Sequence, residues 1–104
     1  MSVLSVSEFD DMAVDKNGNV VPIANGAPTN VQVITLSGSS TAISTAFNSK
    51  TRFVRLCATA DCHFVFDDSP TATTSHEVLG AGLVEYRGID PENMGNKIAA
   101  RTTA

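Results

Sequence analysis

The sequence predicts an all-β protein, an antiparallel β-sandwich, and three observations support this prediction. Short runs in which apolar and polar residues alternate recur about every ten residues. Groups of Gly, Asn, Ser and Pro that favour turns separate these runs. Helical periodicity is nearly absent, and its nearest candidate, Met94–Ala100, is interrupted by Gly95 and Asn96.

The composition agrees with this fold class. The chain has 104 residues, of which 42% are hydrophobic and 17% charged, and Ser, Thr, Ala and Val together supply 44 of them. This length fits one domain, and the apolar content is too high for a disordered chain. Roughly eight or nine short strands favour a sandwich or a barrel, while the strand order, with a jelly roll among the alternatives, stays open.

The first predicted element is a hairpin near the N-terminus. Met12–Val14 and Val20–Ile23 flank a turn that contains Asn17 and Gly18, which both tolerate positive φ. Pro22 suits an edge strand because it cannot donate a ladder hydrogen bond.

The chain is predicted to divide at residue 30. Residues 1–30 are acidic at the start and rich in Asn, Gly and Pro later, which favours an extended arm or hairpin that orders against a neighbour. Residues 31–104 are predicted to form the β-sandwich domain.

Alternation predicts the strands of this domain. It is clearest in Arg52–Thr59, where Val54, Leu56 and Ala58 share one face. The predicted strands are Val31–Leu36, Thr41–Phe47, Arg52–Thr59, Cys62–Phe66, Glu77–Leu79, Leu83–Gly88 and Lys97–Thr102.

A hairpin is predicted between Glu77–Leu79 and Leu83–Gly88. The Gly80–Gly82 segment suits its turn, and it lacks the helix and lysine of a phosphate-binding loop. Large side chains of the strands are expected to lead the core, namely Phe53, Val54, Leu56, Phe64, Val65, Phe66 and Tyr86.

The charge pattern disfavours two classes of partner. With a net charge of −4 and a pI of about 4.8, the chain lacks the basic stripe of a nucleic-acid-binding protein. No run approaches the roughly 18 apolar residues of a membrane span. The acidic N-terminus is unlike a secretory signal, so we expect the chain to be made and retained in a cytosol-like compartment; its acidic residues are Glu8, Asp10, Asp11 and Asp15.

Metal binding is considered for two groups of residues and is not predicted. Cys57, Cys62, His63 and His76 have the chemistry of zinc ligands, but their spacing is unusual and adjacent strand residues point to opposite faces. If Cys57 and Cys62 flanked a tight hairpin they could form a disulfide; two buried free thiols that act as small hydrophobic residues are favoured.

The segment from Asp15 to Asn19 resembles a calcium-binding loop. Its glycine, Gly18, falls at the fourth position instead of the sixth, and Gly26 occupies the twelfth position, where a bidentate Glu is needed. A hairpin turn is therefore predicted.

Catalysis is also considered and not predicted. Ser69 or Ser75 could be combined with His76 and with Asp67 or Asp68 into a triad, but a chain so rich in Ser and Thr supplies such a trio by chance. The G-x-S-x-G motif is absent, and the two aspartates suit a turn. We predict no enzyme, no catalytic or metal-binding residues and no cofactor.

Arginine residues offer a small basic patch or an ion pair. Arg52, Arg55 and Arg87 would lie together if their strands were neighbours, and Arg55 could instead pair with Glu85 across strands. The ion pair is the favoured interpretation.

Residues 53–89 resemble small β-rich virion proteins of tailed bacteriophages, of the capsid cement or decoration type. The resemblance lies in FVRLCATADCHFVF at 53–66, DSPTAT at 68–73 and LGAGLVEY at 79–86. It implies a structural subunit on the capsid exterior, assembled in the host cytoplasm, that stabilises the head by bridging subunits of the major capsid protein. It also implies a homo-oligomer, a trimer or a dimer. No catalytic residues are implied.

Two alternatives remain at this point. A neck or tail component with a host-binding or adaptor role would belong to the same class of virion proteins. A carbohydrate-binding module also suits a β-sandwich, but only Tyr86 and the Phe residues could supply a stacking platform, and the Phe residues are expected in the core.

Overall fold

Strands supply the regular secondary structure of the residues that the computed structural model describes, which are 2–10, 12–14, 16–24, 26–90 and 95–103. The strands are β1 (Val3–Phe9), β2 (Met12–Val14), β3 (Val20–Ala24), β4 (Asn30–Thr35), β5 (Thr41–Ala42), β6 (Phe53–Ala58), β7 (Cys62–Asp67), β8 (Glu77–Leu79), β9 (Val84–Gly88) and β10 (Lys97–Thr102).

Two four-stranded antiparallel sheets pack face to face. Sheet 1 has the strand order β4-β1-β6-β9 and sheet 2 has the order β5-β10-β7-β8. A separate antiparallel pair, β2-β3, forms the predicted hairpin. The predicted all-β sandwich is therefore confirmed, while the jelly roll stays a prediction.

The core lies between the inner faces of the two sheets. In sheet 1 the fully buried positions alternate along β1 and β6, and in sheet 2 Phe64 is the largest fully buried side chain. The core consists of Leu4, Val6, Ile34, Leu36, Ile43, Phe47, Val54, Leu56, Ala58, Cys62, Phe64, Leu79, Ile89, Ile98 and Ala100. The prediction was right for Val54, Leu56 and Phe64, and Phe66 packs partly buried against the core. It was wrong for Phe53 and Val65, which are half-buried outside the core, and for Tyr86, which is 56% exposed.

β1 is an inner strand of the sandwich. It pairs with β4 on one side, where Leu4 lies opposite Ile34, and with β6 on the other, where Leu4 lies opposite Ala58. The expectation that residues 1–30 form an arm is wrong for Val3–Phe9, because this strand buries Leu4 and Val6 in the core.

Gly18 is the residue of the β2-β3 turn that uses a left-handed conformation, with φ +84°. No described residue other than glycine has positive φ, so the turn does not need this conformation at Asn17. The hairpin prediction is confirmed, but only one of the two residues supports it in the way expected.

The chain crosses from one sheet to the other between β8 and β9, where a hairpin was expected. β8 pairs with β7 in sheet 2, and β9 pairs with β6 in sheet 1. The predicted hairpin between β8 and β9 is therefore wrong. Gly82, with φ +77°, turns the chain from one sheet to the other, and its N–H donates to the Ala58 carbonyl at 2.8 Å.

β5 is much shorter than the predicted strand Thr41–Phe47. The ladder with β10 ends at Ala42, although the Ile43 N–H still donates to the Ile98 carbonyl at 3.0 Å. The backbone of Thr45 bonds to the side chain of Gln32 on β4. Ile43 and Phe47 are nonetheless buried in the core.

Candidate interaction surface

The outer face of sheet 1 exposes a group of apolar side chains, and we call it the sheet-1 surface. β4 contributes Val31 and Val33, which are 50% and 59% exposed, and β9 contributes Val84 and Tyr86, which are 45% and 56% exposed. The ladder places Val33 in one cross-strand row with Val84, and Val31 in the next row with Tyr86. Ser5, Ser7, Arg55 and Cys57 lie between these two pairs, so the sheet-1 surface has an apolar pair at each edge and a more polar middle.

A row of aromatic rings lies at one end of this surface. Phe9 stacks on Phe53 with ring centroids 5.0 Å apart, and Phe53 lies 6.2 Å from Tyr86. Phe9 is buried, Phe53 is half-buried and Tyr86 is exposed. A carbohydrate-binding platform was disfavoured because the Phe residues were expected in the core. Phe53 lies outside the core, so Phe53 and Tyr86 are both accessible for stacking.

Arg55 is the positive charge on the sheet-1 surface. It faces outward from β6 between Ser7 and Tyr86 and is half-buried. Among the described residues no carboxylate lies within ion-pair distance of Arg55. The sheet-1 surface therefore combines apolar contact area with one guanidinium that a partner could neutralise.

Arg87 belongs to a different environment. It points inward from β9, donates to Glu77 Oε2 at 3.0 Å and Glu85 Oε1 at 2.8 Å, and lies 5.4 Å from the centroid of the Phe64 ring. The hydrogen bond to Glu77, which contributes most, and the hydrogen bond to Glu85 raise the pKa of the Arg87 guanidinium above its ordinary value. The predicted Arg55–Glu85 pair and the basic patch that included Arg87 are both wrong, because Arg55 points to the opposite face of sheet 1.

The two cysteines are free and belong to different sheets. Cys62 is fully buried in the core, but the expectation that both thiols are buried is wrong for Cys57, which is half-buried on the outer face of sheet 1. Burial, with a smaller contribution from the Asp61 carboxylate, raises the pKa of the Cys62 thiol. Because β6 and β7 are not a hairpin, the geometry that a disulfide required is not present.

The residues considered as zinc ligands do not come together. Cys62 faces the core, while His63, its neighbour, points to the outer side of sheet 2. His63 Nδ1–H donates to the backbone carbonyl of His76 at 2.8 Å. Within the described part of the chain, no three Cys, His, Asp or Glu residues are grouped as a metal site.

The residues of the hypothetical triad stabilise a loop. His76 Nδ1 accepts a hydrogen bond from the backbone N–H of Thr73 at 2.9 Å. Asp67 accepts from the N–H of Asp68, and Asp68 accepts from the N–H of Asn96. Asp67 ends β7, and the bond from Asn96 to Asp68 ties the segment after β7 to the segment before β10, so the predicted turn role of the two aspartates stays a prediction.

Glu8 is a buried carboxylate that the sequence analysis did not single out. It is 1% exposed and accepts hydrogen bonds from Thr51 Oγ1 at 2.8 Å, the Asn48 N–H at 3.0 Å and Asn30 Nδ2 at 3.0 Å. It borders a cleft of about 300 Å³ that is also lined by Thr29, Asn30, Thr45, Ala46 and Asn48. The available signal was its position, since Glu8 continues the inward-facing alternation of Leu4 and Val6 along β1.

Comparison with models of protein families, with curated proteins and with solved structures gives no match for this chain. The resemblance to phage virion proteins therefore stays a prediction. None of the described residues forms a helix capable of crossing a bilayer.

Proposed function

We propose that this protein is a structural virion subunit, a capsid cement or decoration protein that binds subunits of the major capsid protein through its sheet-1 surface. The observation that carries the proposal is the two exposed apolar pairs, Val31 with Val33 and Val84 with Tyr86, at the two edges of one sheet face. The sequence resemblance over residues 53–89 supplies the class of partner.

The mechanism would be physical. A cement subunit that contacts two coat subunits adds buried area that must be exposed again before the shell can open. Tyr86 is the natural anchor of such a contact, because an aromatic ring buries a large area with few rotatable bonds and its hydroxyl can still form a hydrogen bond. Arg55, in the next strand, would pair with a carboxylate of the coat protein.

The test is co-sedimentation of the purified protein with phage heads that lack it. We expect the wild type to bind and to raise the temperature at which heads release DNA. Tyr86→Ser and Val84→Ser should each weaken binding at least tenfold. Val78→Ser is the matched control, because Val78 is 54% exposed on sheet 2, away from the sheet-1 surface. Heads whose heat resistance is the same with and without the protein would contradict the proposal.

The alternative within the same class is a neck or tail component with a host-binding or adaptor role. Copy number separates the two functions. Gel densitometry of purified particles should give hundreds of copies for a cement subunit and about a dozen or fewer for a neck or tail component.

A further inference from the structure

The four edge strands of the sandwich differ in how well they are protected from pairing with another chain. An exposed edge presents unpaired backbone groups, and proteins commonly protect edges by short strands, inward-pointing charges, proline or bulges. β5 has two residues and β8 has three. β9 carries Glu85 and Arg87 pointing inward.

β4 has none of these protections. It is six residues long, its sequence NVQVIT contains no charge and no proline, and its register with β1 is regular from Asn30 to Thr35. By this criterion β4 is the edge that is open to strand addition.

Some backbone N–H and C=O groups of β4 point away from β1, toward the open edge of sheet 1. The Leu36 N–H donates to the Ser2 carbonyl at 2.9 Å, and the register continues through Ile34 opposite Leu4 and Gln32 opposite Val6. Backbone groups in an antiparallel strand point alternately toward and away from the neighbouring strand. The N–H and C=O groups of Val33 and Val31 therefore point outward from the edge.

The side chain of Gln32 holds this edge in place. Its Nε2 donates to the Thr45 carbonyl at 2.9 Å and its Oε1 accepts from the Thr45 N–H at 3.2 Å. These two bonds join β4 to the segment after β5 without using the outward groups of Val31 and Val33. The edge is thus ordered before any partner arrives, which lowers the entropic cost of pairing.

The distribution of charge indicates what pairs with β4. All charged residues of this chain lie at positions 16 and below or 50 and above, so residues 17–49 carry none. Two copies with a net charge of −4 each can approach through this segment without bringing like charges together. A second copy also offers an identical edge, and an antiparallel contact between identical edges closes after two subunits.

We propose that two copies of this chain pair β4 to β4 in antiparallel orientation, forming a dimer with a continuous eight-stranded sheet. Val31 and Val33 of both copies become cross-strand neighbours on the outer face. This inference does not rest on the proposed function, since the pairing would form in solution without phage heads.

The test is sedimentation equilibrium of the purified chain. We expect the wild type to be a dimer. Val33→Lys places a charge at the pairing edge, and Val33→Pro removes the outward N–H while leaving the ladder to β1 intact. Each should raise the dissociation constant of the dimer at least tenfold. Val78→Lys is the matched control, because Val78 is similarly exposed on the β8 edge, and it should leave the dimer unchanged.

Circular dichroism and urea unfolding would verify that the variants are folded. A wild type that is monomeric at millimolar concentration, or a dimer that both Val33 variants leave intact, would overturn the proposal. A monomer whose Val33 variants fail to bind heads would assign β4 to a coat strand instead, and would also overturn it. If Tyr86→Ser loses head binding but remains a dimer, that result supports the proposed function and agrees with β4 pairing in the dimer.

Discussion

Arg87 Nη1 lies 3.0 Å from Glu77 Oε2, and this ion pair joins β9 of sheet 1 to β8 of sheet 2. The two strands are consecutive in the chain yet lie in different sheets. Arg87 also covers the Phe64 ring, so one side chain closes this side of the sandwich over the core.

Replacing this side chain tests how much the closure contributes. Arg87→Met keeps the apolar stem and removes the charge, so we expect the free energy of unfolding to fall by about 1 kcal/mol, since the pair is partly exposed and a cation–π contact is modest. Urea unfolding at low and high salt would measure this. Lys97→Met is the control, and an equal loss in both variants would contradict a specific role for Arg87.

Gly95 occupies a position where a side chain cannot fit. Its φ is +95°, and a Cβ there would overlap the backbone Cα of Asp67. We expect Gly95→Ala to lower the free energy of unfolding by about 3 kcal/mol, from backbone strain and overlap together. Gly18→Ala is the matched control, because Gly18 has φ +84° and open space around it; about 1 kcal/mol is expected there. Equal losses would show that overlap contributes nothing.

The buried Glu8 carboxylate should be important for stability. Glu8→Gln replaces an oxygen with an NH₂ group that faces donors, so at least one of the three hydrogen bonds is lost. We expect a loss of about 2–3 kcal/mol in urea unfolding. Thr51→Ser, which keeps the donating hydroxyl, should lose much less than Thr51→Val. A Glu8→Gln variant as stable as wild type would show that the carboxylate charge is not needed.

The two thiols should differ in reactivity. Cys57 is half-buried at the sheet-1 surface, whereas Cys62 is 0% exposed and burial raises its pKa, so less reactive thiolate is present. An aromatic disulfide reagent at pH 8 should label Cys57 in the native protein and both residues in denaturant. Cys57→Ala should abolish the native reaction. Rapid native labelling of that variant would mean that the core around Cys62 opens easily.

Arg55 provides an electrostatic test of docking. Under the proposed function, Arg55→Glu should weaken binding to heads at least tenfold, because it places like charges at the contact, and added salt should partly restore the binding. Arg52→Glu is the matched control. Arg52 is also an exposed arginine, but in the alternation of residues 52–58 it falls on the side of Val54 and Leu56, opposite to Arg55 and the sheet-1 surface. Equal effects of the two substitutions would indicate a general charge effect.

Several features of the fold follow from local pattern. Alternation in residues 52–66 predicted β6 and β7 and the inward faces that contain Val54, Leu56 and Phe64, because strand residues alternate between faces whatever the neighbouring strand is. The β2-β3 hairpin followed from turn residues in the same way. The exposed valines of β4 were harder to place, since Val31 and Val33 look like core residues by type alone.

By itself, the sequence determined the fold class, the positions of most strands and the absence of charge in residues 17–49. Only the tertiary structure decided that β1 lies inside sheet 1, that β8 and β9 lie in different sheets, and that Glu8 is buried. The physical reason is the distance along the chain over which each interaction acts. Alternation and turn propensity act over a few residues, whereas strand partners are chosen by burial of faces that lie far apart in the chain. The same long-range choice left β4 at an edge, and this position makes an uncharged, six-residue strand available to a second copy.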